Sequence, residues 1–173
     1  MGLLRRREER REDSGVQYQM REKIFSIGDD YWIENNRGER VFKVDGKALR
    51  ARETMILEDA NGAELCKIQE KVLRVRETME IERHGDTLAT VKKAMITPLR
   101  DRYSVQVRQG DDLEVQGNIV DHEYSIERGR EKVAEVSKRW FRARDTYGVE
   151  IAPGQDDALI LAVTACLERM SHH

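Results

Sequence analysis

The residue types best suited to chemistry stand side by side at Asp121-His122-Glu123-Tyr124, where acids, a base and a hydroxyl follow one another. General acid–base catalysis needs such groups to converge on one reacting atom, within hydrogen-bond reach of the proton to be moved. Neighbours along a strand point to opposite faces, so these four do not converge by themselves, and the plainer reading is a polar approach to a strand. The remaining titratable groups are scattered. Of the four histidines, His172 and His173 are the last two residues, His84 lies in a turn sequence and His122 belongs to the quartet. The acid pairs Asp29-Asp30, Asp111-Asp112 and Asp156-Asp157 fall at turns or at a helix start. Turn and capping chemistry accounts for them without a calcium site. The HExxH, CxxC, GxSxG, P-loop and dinucleotide glycine patterns are all missing. The expectation is no catalytic residues, no metal and no cofactor; an enzyme would require groups distant in sequence to meet in the fold.

Basic residues around aromatic ones offer a different chemistry. Lys92, Lys93, Arg100 and Arg102 flank Pro98, and Lys138, Arg139, Arg142 and Arg144 surround Trp140-Phe141. If the two stretches adjoin in the fold, they form a patch for an anionic lipid headgroup or a phosphorylated ligand. Each cation near a membrane surface is worth about 1 kcal/mol, and Trp140 and Phe141 would insert at the interface. The alternative is a solvated sheet face with Trp140 packed inward.

Composition narrows the partners. Lys and Arg number 31 against 33 Asp and Glu, a net charge of -2, which argues against a nucleic-acid partner. No run of 18 apolar residues occurs, so no transmembrane helix is expected. The start, MGLLRRREERRED, lacks the apolar stretch of a signal peptide. It begins like a myristoylation signal, but Arg6 stands where Ser or Thr is required. Cys66 and Cys166 sit in apolar settings and read as buried free thiols of a reducing cytoplasm, although sequence alone leaves a disulfide open. Residues 1–17, where five arginines alternate with glutamates, read as a disordered or frayed basic tail. Residues 18–171 form a single domain, a size that buries one core.

The elements that must carry these residues are mostly strands. Gly38, Gly62, Gly85 and Gly110 are spaced by 24, 23 and 25 residues, and Gly129 and Gly148 follow at steps of 19. A pattern of two adjacent apolar residues and a third two positions on follows four of them: Val41-Phe42-x-Val44, Leu65-Cys66-x-Ile68, Leu88-Ala89-x-Val91 and Val133-Ala134-x-Val136. Alternating runs such as Tyr103-x-Val105-x-Val107 precede the glycines. Period-2 alternation between turns rich in Gly and Asn reads as a series of β-hairpins, the last strand being roughly Tyr147 to Ala152. The stretch DDALILAVTACLERM, residues 156–170, is then a helix, with acids at its start and Arg169 near its end. Its run from Ala158 to Leu167 is uncharged on every side. Ten helical residues span about 15 Å, too short for ~30 Å of hydrocarbon. A helix apolar all round that does not lie in lipid lies at the centre of something. About ten to twelve strands closed into a barrel leave a lumen that such a helix fills.

The segments REKIFSIGDDYWIEN, VFKVDGKALRARETMILED, GNIVDHEYSIERG and VSKRWFRARDTYGVEIAPGQDDALILAV resemble the bacterial branch of the LURP-one-related family, over about residues 18–170. The most specific stretch is Val136 to Val163, with its Ser-Lys-Arg-Trp-Phe strand, Asp-Thr-Tyr-Gly turn and apolar helix in the family's order. The arginine-rich N-terminal extension is the one departure. The resemblance implies a mainly-β fold, a closed twelve-stranded antiparallel barrel around a hydrophobic C-terminal helix, as in tubby C-terminal domains and phospholipid scramblases. It implies no reaction, because the family has no established catalytic residues. Tubby domains bind phosphoinositide headgroups and scramblases act on lipids, so lipid contact enters by fold-level analogy. The leading expectation is a non-catalytic cytosolic binding module for an anionic headgroup. The alternatives are a protein–protein interaction domain of unknown partner and a scramblase-like lipid transfer protein, against which the short helix speaks.

Overall fold

The repeated pattern of two adjacent apolar residues marks a β-bulge. In the computed structural model, which describes residues 15–21, 30–45, 54–71, 77–97, 100–141 and 145–171, Ile33 pairs with Phe42 and Glu34 with Arg40, leaving Val41 as the extra residue. Leu65, Leu88 and Val133 are left over in the same way, opposite the steps Leu57/Glu58, Ile81/Glu82 and Ile126/Glu127. A bulge bends its strand and increases its twist, and here it turns the second apolar residue of each pair towards the core. Two of the extra residues still bond the strand on their other side: the Leu88 carbonyl accepts from the Arg108 N–H at 3.0 Å, and that of Val133 from the Ala152 N–H at 2.9 Å.

The strands are β1 (Val16–Arg21), β2 (Tyr31–Asn35), β3 (Arg40–Asp45), β4 (Thr54–Asp59), β5 (Glu64–Lys71), β6 (Thr78–Arg83), β7 (Asp86–Thr97), β8 (Arg100–Val107), β9 (Leu113–Asn118), β10 (Glu123–Arg128), β11 (Glu131–Ser137) and β12 (Thr146–Ile151). Each pairs antiparallel with its sequence neighbours, and β1 pairs with β12, from Val16↔Ile151 to Arg21↔Thr146, to close a twelve-stranded barrel. Closure leaves no sheet edge. Val16 and Gln17, assigned to the tail from sequence, belong to the sheet, because they pair with Ile151 and Glu150. The last strand, read as roughly Tyr147 to Ala152, is β12 from Thr146 to Ile151, so Thr146 of the expected Asp-Thr-Tyr-Gly turn already belongs to the sheet. The tail up to residue 14, Asp29, Pro98, Arg142, Arg144, His172, His173 and the side chain of Arg100 lie outside the described residues.

Helix α1 (Asp157–Ser171) runs inside the barrel and packs chiefly against β5, β6 and β12. Every residue from Leu159 to Glu168 is buried, as an all-round apolar surface demands. Asp156 caps the helix, accepting the Leu159 N–H at 3.2 Å, and takes two hydrogen bonds from the Arg83 guanidinium at 2.7 and 3.0 Å. Tyr18 donates its hydroxyl to Asp157, and Arg128 bonds Gln155 at 3.0 Å. These contacts from β1, β6 and β10 fix the helix N-terminus at the barrel end that carries the hairpin turns. Cys66 and Cys166 are both buried and free, and burial pushes both thiols up.

A chain ending at Gly154 loses the barrel's filling, and circular dichroism during heating is expected to show no cooperative transition; a soluble, sharply melting product would refute the plugged barrel. Leu161→Ala in the full chain is expected to cost about 2–5 kcal/mol in urea denaturation. Burial by itself would raise the Asp156 carboxyl, but Arg83 and the Leu159 amide outweigh it and hold it below the ordinary 3.8. Its contribution is therefore complete above pH 3.8 and lost as pH falls through the lower folded value. Asp156→Asn is expected to lower stability at neutral pH and to flatten the acid limb of the stability–pH curve.

Candidate functional site

At the other end of the barrel, where α1 finishes, the quartet at 121–124 splits between two surfaces. His122 ends the β9–β10 turn with φ 53, in the left-handed region, and its ring points inward. There Nε2 meets a carboxylate oxygen of Glu168 from α1, both side chains being 2% exposed. The imidazole stacks on Tyr147 from β12, with ring centroids 4.3 Å apart. Tyr124 also faces inward and shares a hydrogen bond with Thr164, one helical turn before Glu168; burial, reinforced by the Glu168 carboxylate, pushes its phenol up. Thr164 in turn donates to the Ile160 carbonyl at 2.9 Å. An acid and a base thus do converge, but the acid comes from the helix. The pair is sealed, so a substrate reaches it only if the helix moves. Its evident work is to seat the helix C-terminus.

Asp121 and Glu123 stay outside. Asp121 accepts from the Asn118 amide at 2.6 Å and closes the turn. Glu123 organises the chain as it leaves β11: it accepts from the Ser137 hydroxyl at 3.0 and 2.9 Å and from the Lys138 N–H at 3.2 Å. The Arg139 Nε lies 3.8 Å from the same carboxylate. This arrangement places Lys138 and Arg139 on the rim beside Trp140 and Phe141.

Those two aromatics lie outside the barrel. Tyr147, Val149 and Ile151 of β12 face the core, so Gly148 faces outward. A Cβ at Gly148 would stand 2.5 Å from the Trp140 ring and 2.8 Å from that of Phe141. Only glycine leaves room for both rings to approach the strand this closely, and both are half-buried. The alternative of an inward Trp140 is overturned for that reason.

The five basic residues of the sequence reading whose side chains are described, Lys92, Lys93, Arg102, Lys138 and Arg139, separate into two groups. Lys92 and Lys93 of β7 stand against Ser104 and Tyr103 of β8, with Lys93 Nζ 5.8 Å from the Tyr103 ring centroid and Arg102 exposed one step along. Burial pushes the Tyr103 phenol up to about 12. Lys138 and Arg139 follow β11, three strand steps from Arg102 on β8 and four from the lysines on β7, roughly 14–19 Å at ordinary strand spacing. Between them the outer surface carries Glu114 and Glu123, so the described residues form two basic groups on one rim rather than one continuous patch. An outward aromatic that sequence reasoning passed over is Trp32 on β2, with Arg40 Cζ at 5.4 Å and Lys43 Nζ at 5.8 Å from its ring. The hairpin register that pairs Trp32 with Lys43 is the signal that finds it.

A closed twelve-stranded antiparallel barrel filled by one apolar C-terminal helix defines the class of protein. The LURP-one-related family model matches residues 16–168, and the chain belongs to that family. It is 24% identical over 154 residues to the uncharacterized protein YxjI of Bacillus subtilis strain 168, covering 89% of this chain and 93% of that one. The X-ray structure of the Arabidopsis thaliana protein AT5G01750 superposes with a TM-score of 0.68 at 18% identity, over 92% of this chain and 93% of that one. The last likeness is one of fold.

Glu168→Ala leaves the His122 ring buried against an empty acceptor position and is expected to cost about 3 kcal/mol or more, with Glu168→Gln costing less because its amide oxygen still accepts; urea denaturation of the two variants compares them. Gly148→Ala is expected to lift Trp140 and Phe141 off β12, read as a red shift of tryptophan emission without loss of the barrel's far-ultraviolet signal.

Proposed function

We propose that the chain is a non-catalytic binding module that meets an anionic phospholipid headgroup, peripherally and from the cytosolic side, at the rim around the end of α1. The observation that carries this reading is the outward pair Trp140-Phe141, laid on Gly148 directly after Lys138 and Arg139. Aromatic rings at an interface combine an apolar body with tolerance of the headgroup region, and each neighbouring cation adds about 1 kcal/mol of attraction to an anionic surface. The helix fills the lumen, so a ligand is met on the outside. Lys92, Lys93 and Arg102 stand on the same rim and widen the electrostatic footprint. Among the described residues no helix is long and apolar enough to cross a membrane, which suits contact at the surface. The two free buried thiols suit a reducing compartment.

Sedimentation of the purified chain with vesicles tests the reading. Binding is expected to phosphoinositide-containing vesicles at physiological salt and not to zwitterionic ones. Lys138→Glu combined with Arg139→Glu is expected to abolish it while leaving the thermal melt intact. Equal behaviour with both vesicle types, or binding that survives the double substitution, would remove the headgroup reading and turn the search to protein partners.

A further inference from the structure

The opposite end of the barrel carries a second feature that the headgroup reading does not use. The β6–β7 hairpin and the start of the β8–β9 turn stand side by side, joined by the hydrogen bond from the Arg108 N–H to the bulged Leu88. Between them lies a half-open cleft of about 470 Å³, lined by Arg83, His84, Asp86, Leu88, Arg108 and Gln109 among others. That volume falls within the ordinary range of small-molecule sites.

The charges in the cleft are unevenly satisfied. Arg83 is committed to Asp156 by two hydrogen bonds, so its charge is compensated from the helix. Arg108 is exposed, and among the described residues no carboxylate pairs with its guanidinium. His84 is exposed too and occupies the first position of a two-residue turn, with φ 52, followed by Gly85 with φ 82. Turns with positive φ at both positions favour Asn-Gly or Asp-Gly. Here an imidazole takes the left-handed position instead, and strained positions of this kind cluster at ligand sites. Asp86, also exposed, is the one acid of the lining.

We propose that this cleft binds a compact organic phosphate. Arg108, His84 and the Gln109 amide face the oxyanion; Asp86 accepts from a hydroxyl or ammonium of the same molecule; Leu88 forms the floor. A guanidinium presents a planar fork of donors that matches phosphate oxygens. The mixed polar lining selects a small, hydrophilic ligand. The site lies at the far end of the barrel from Trp140, and it stands or falls independently of the headgroup reading.

Amide chemical shifts of the full chain, titrated with glycerol 3-phosphate and separately with glycerol, test the assignment. Saturable shifts of residues 83–88 and 107–109 are expected with the phosphate ester alone. Arg108→Gln is expected to weaken the response about tenfold or more, and His84→Asn, which keeps the turn, by a smaller factor. The same phosphate carried by a lipid is the competing source, so the Arg108→Gln chain is also sedimented with phosphatidic acid vesicles. Retained vesicle binding alongside a weakened response to glycerol 3-phosphate supports a free metabolite. Absence of saturable shifts, shifts unaltered by Arg108→Gln, or loss of vesicle binding with no response to the soluble ester would each overturn the proposal.

Discussion

A helix that is apolar on every side has no preferred rotation about its axis, and that constraint shapes the whole molecule. Burial within the barrel drives the helix in but leaves it free to spin and slide. A few polar contacts remove that freedom. Asp156 and Asp157 are held by Arg83 and Tyr18 at one end, and Glu168 and Thr164 meet His122 and Tyr124 at the other. The His122–Glu168 pair is enclosed, where breaking it is expensive, and the bidentate Arg83–Asp156 pair at the more exposed end adds direction, so together they specify one depth and one angle. The barrel depends on them in turn, because the strands have no other filling.

The four equivalent bulges serve the same end. They sit just beyond the hairpin turns, on the rim where the helix begins. A bulge adds twist where twelve strands must bend inward around a helix terminus. It also shifts the inward register by one residue, so that Phe42, Cys66, Ala89 and Ala134 follow an extra apolar neighbour without losing their place in the sheet. At the opposite rim the aromatic pair over Gly148 shows another use of a small residue, which lets bulky groups lie on the outside of a strand.

Much of the fold was legible in the chain because its signals are local. Glycine spacing and alternating runs report hairpins, which are neighbours in sequence as well as in space, and the uncharged run from Ala158 to Leu167 reports an enclosed helix. The site was much less legible. The partners of the decisive contacts are far apart in sequence, 73 residues for Arg83–Asp156 and 46 for His122–Glu168. No local periodicity predicts which side of an all-apolar helix faces which strand. Gly148 failed as a turn marker for a related reason: a glycine required by overlying rings looks, in sequence, like one required by a turn. The two basic stretches read as potential neighbours because nothing in the chain reports how many strands separate them.

The closing seam between β1 and β12 joins Val16 to Ile151, and α1 follows both in chain order. A ribosome therefore releases eleven strands whose inward faces have nothing to pack against before it makes the last strand and the helix. Until then the nascent chain is an open ribbon of hairpins with an apolar side and two bare edges, the form most prone to pair with another chain. The abundant Lys, Arg, Asp and Glu on the outer face, which give the sequence its hydrophilic average despite a largely apolar interior, keep that ribbon dispersed while it waits to be sealed.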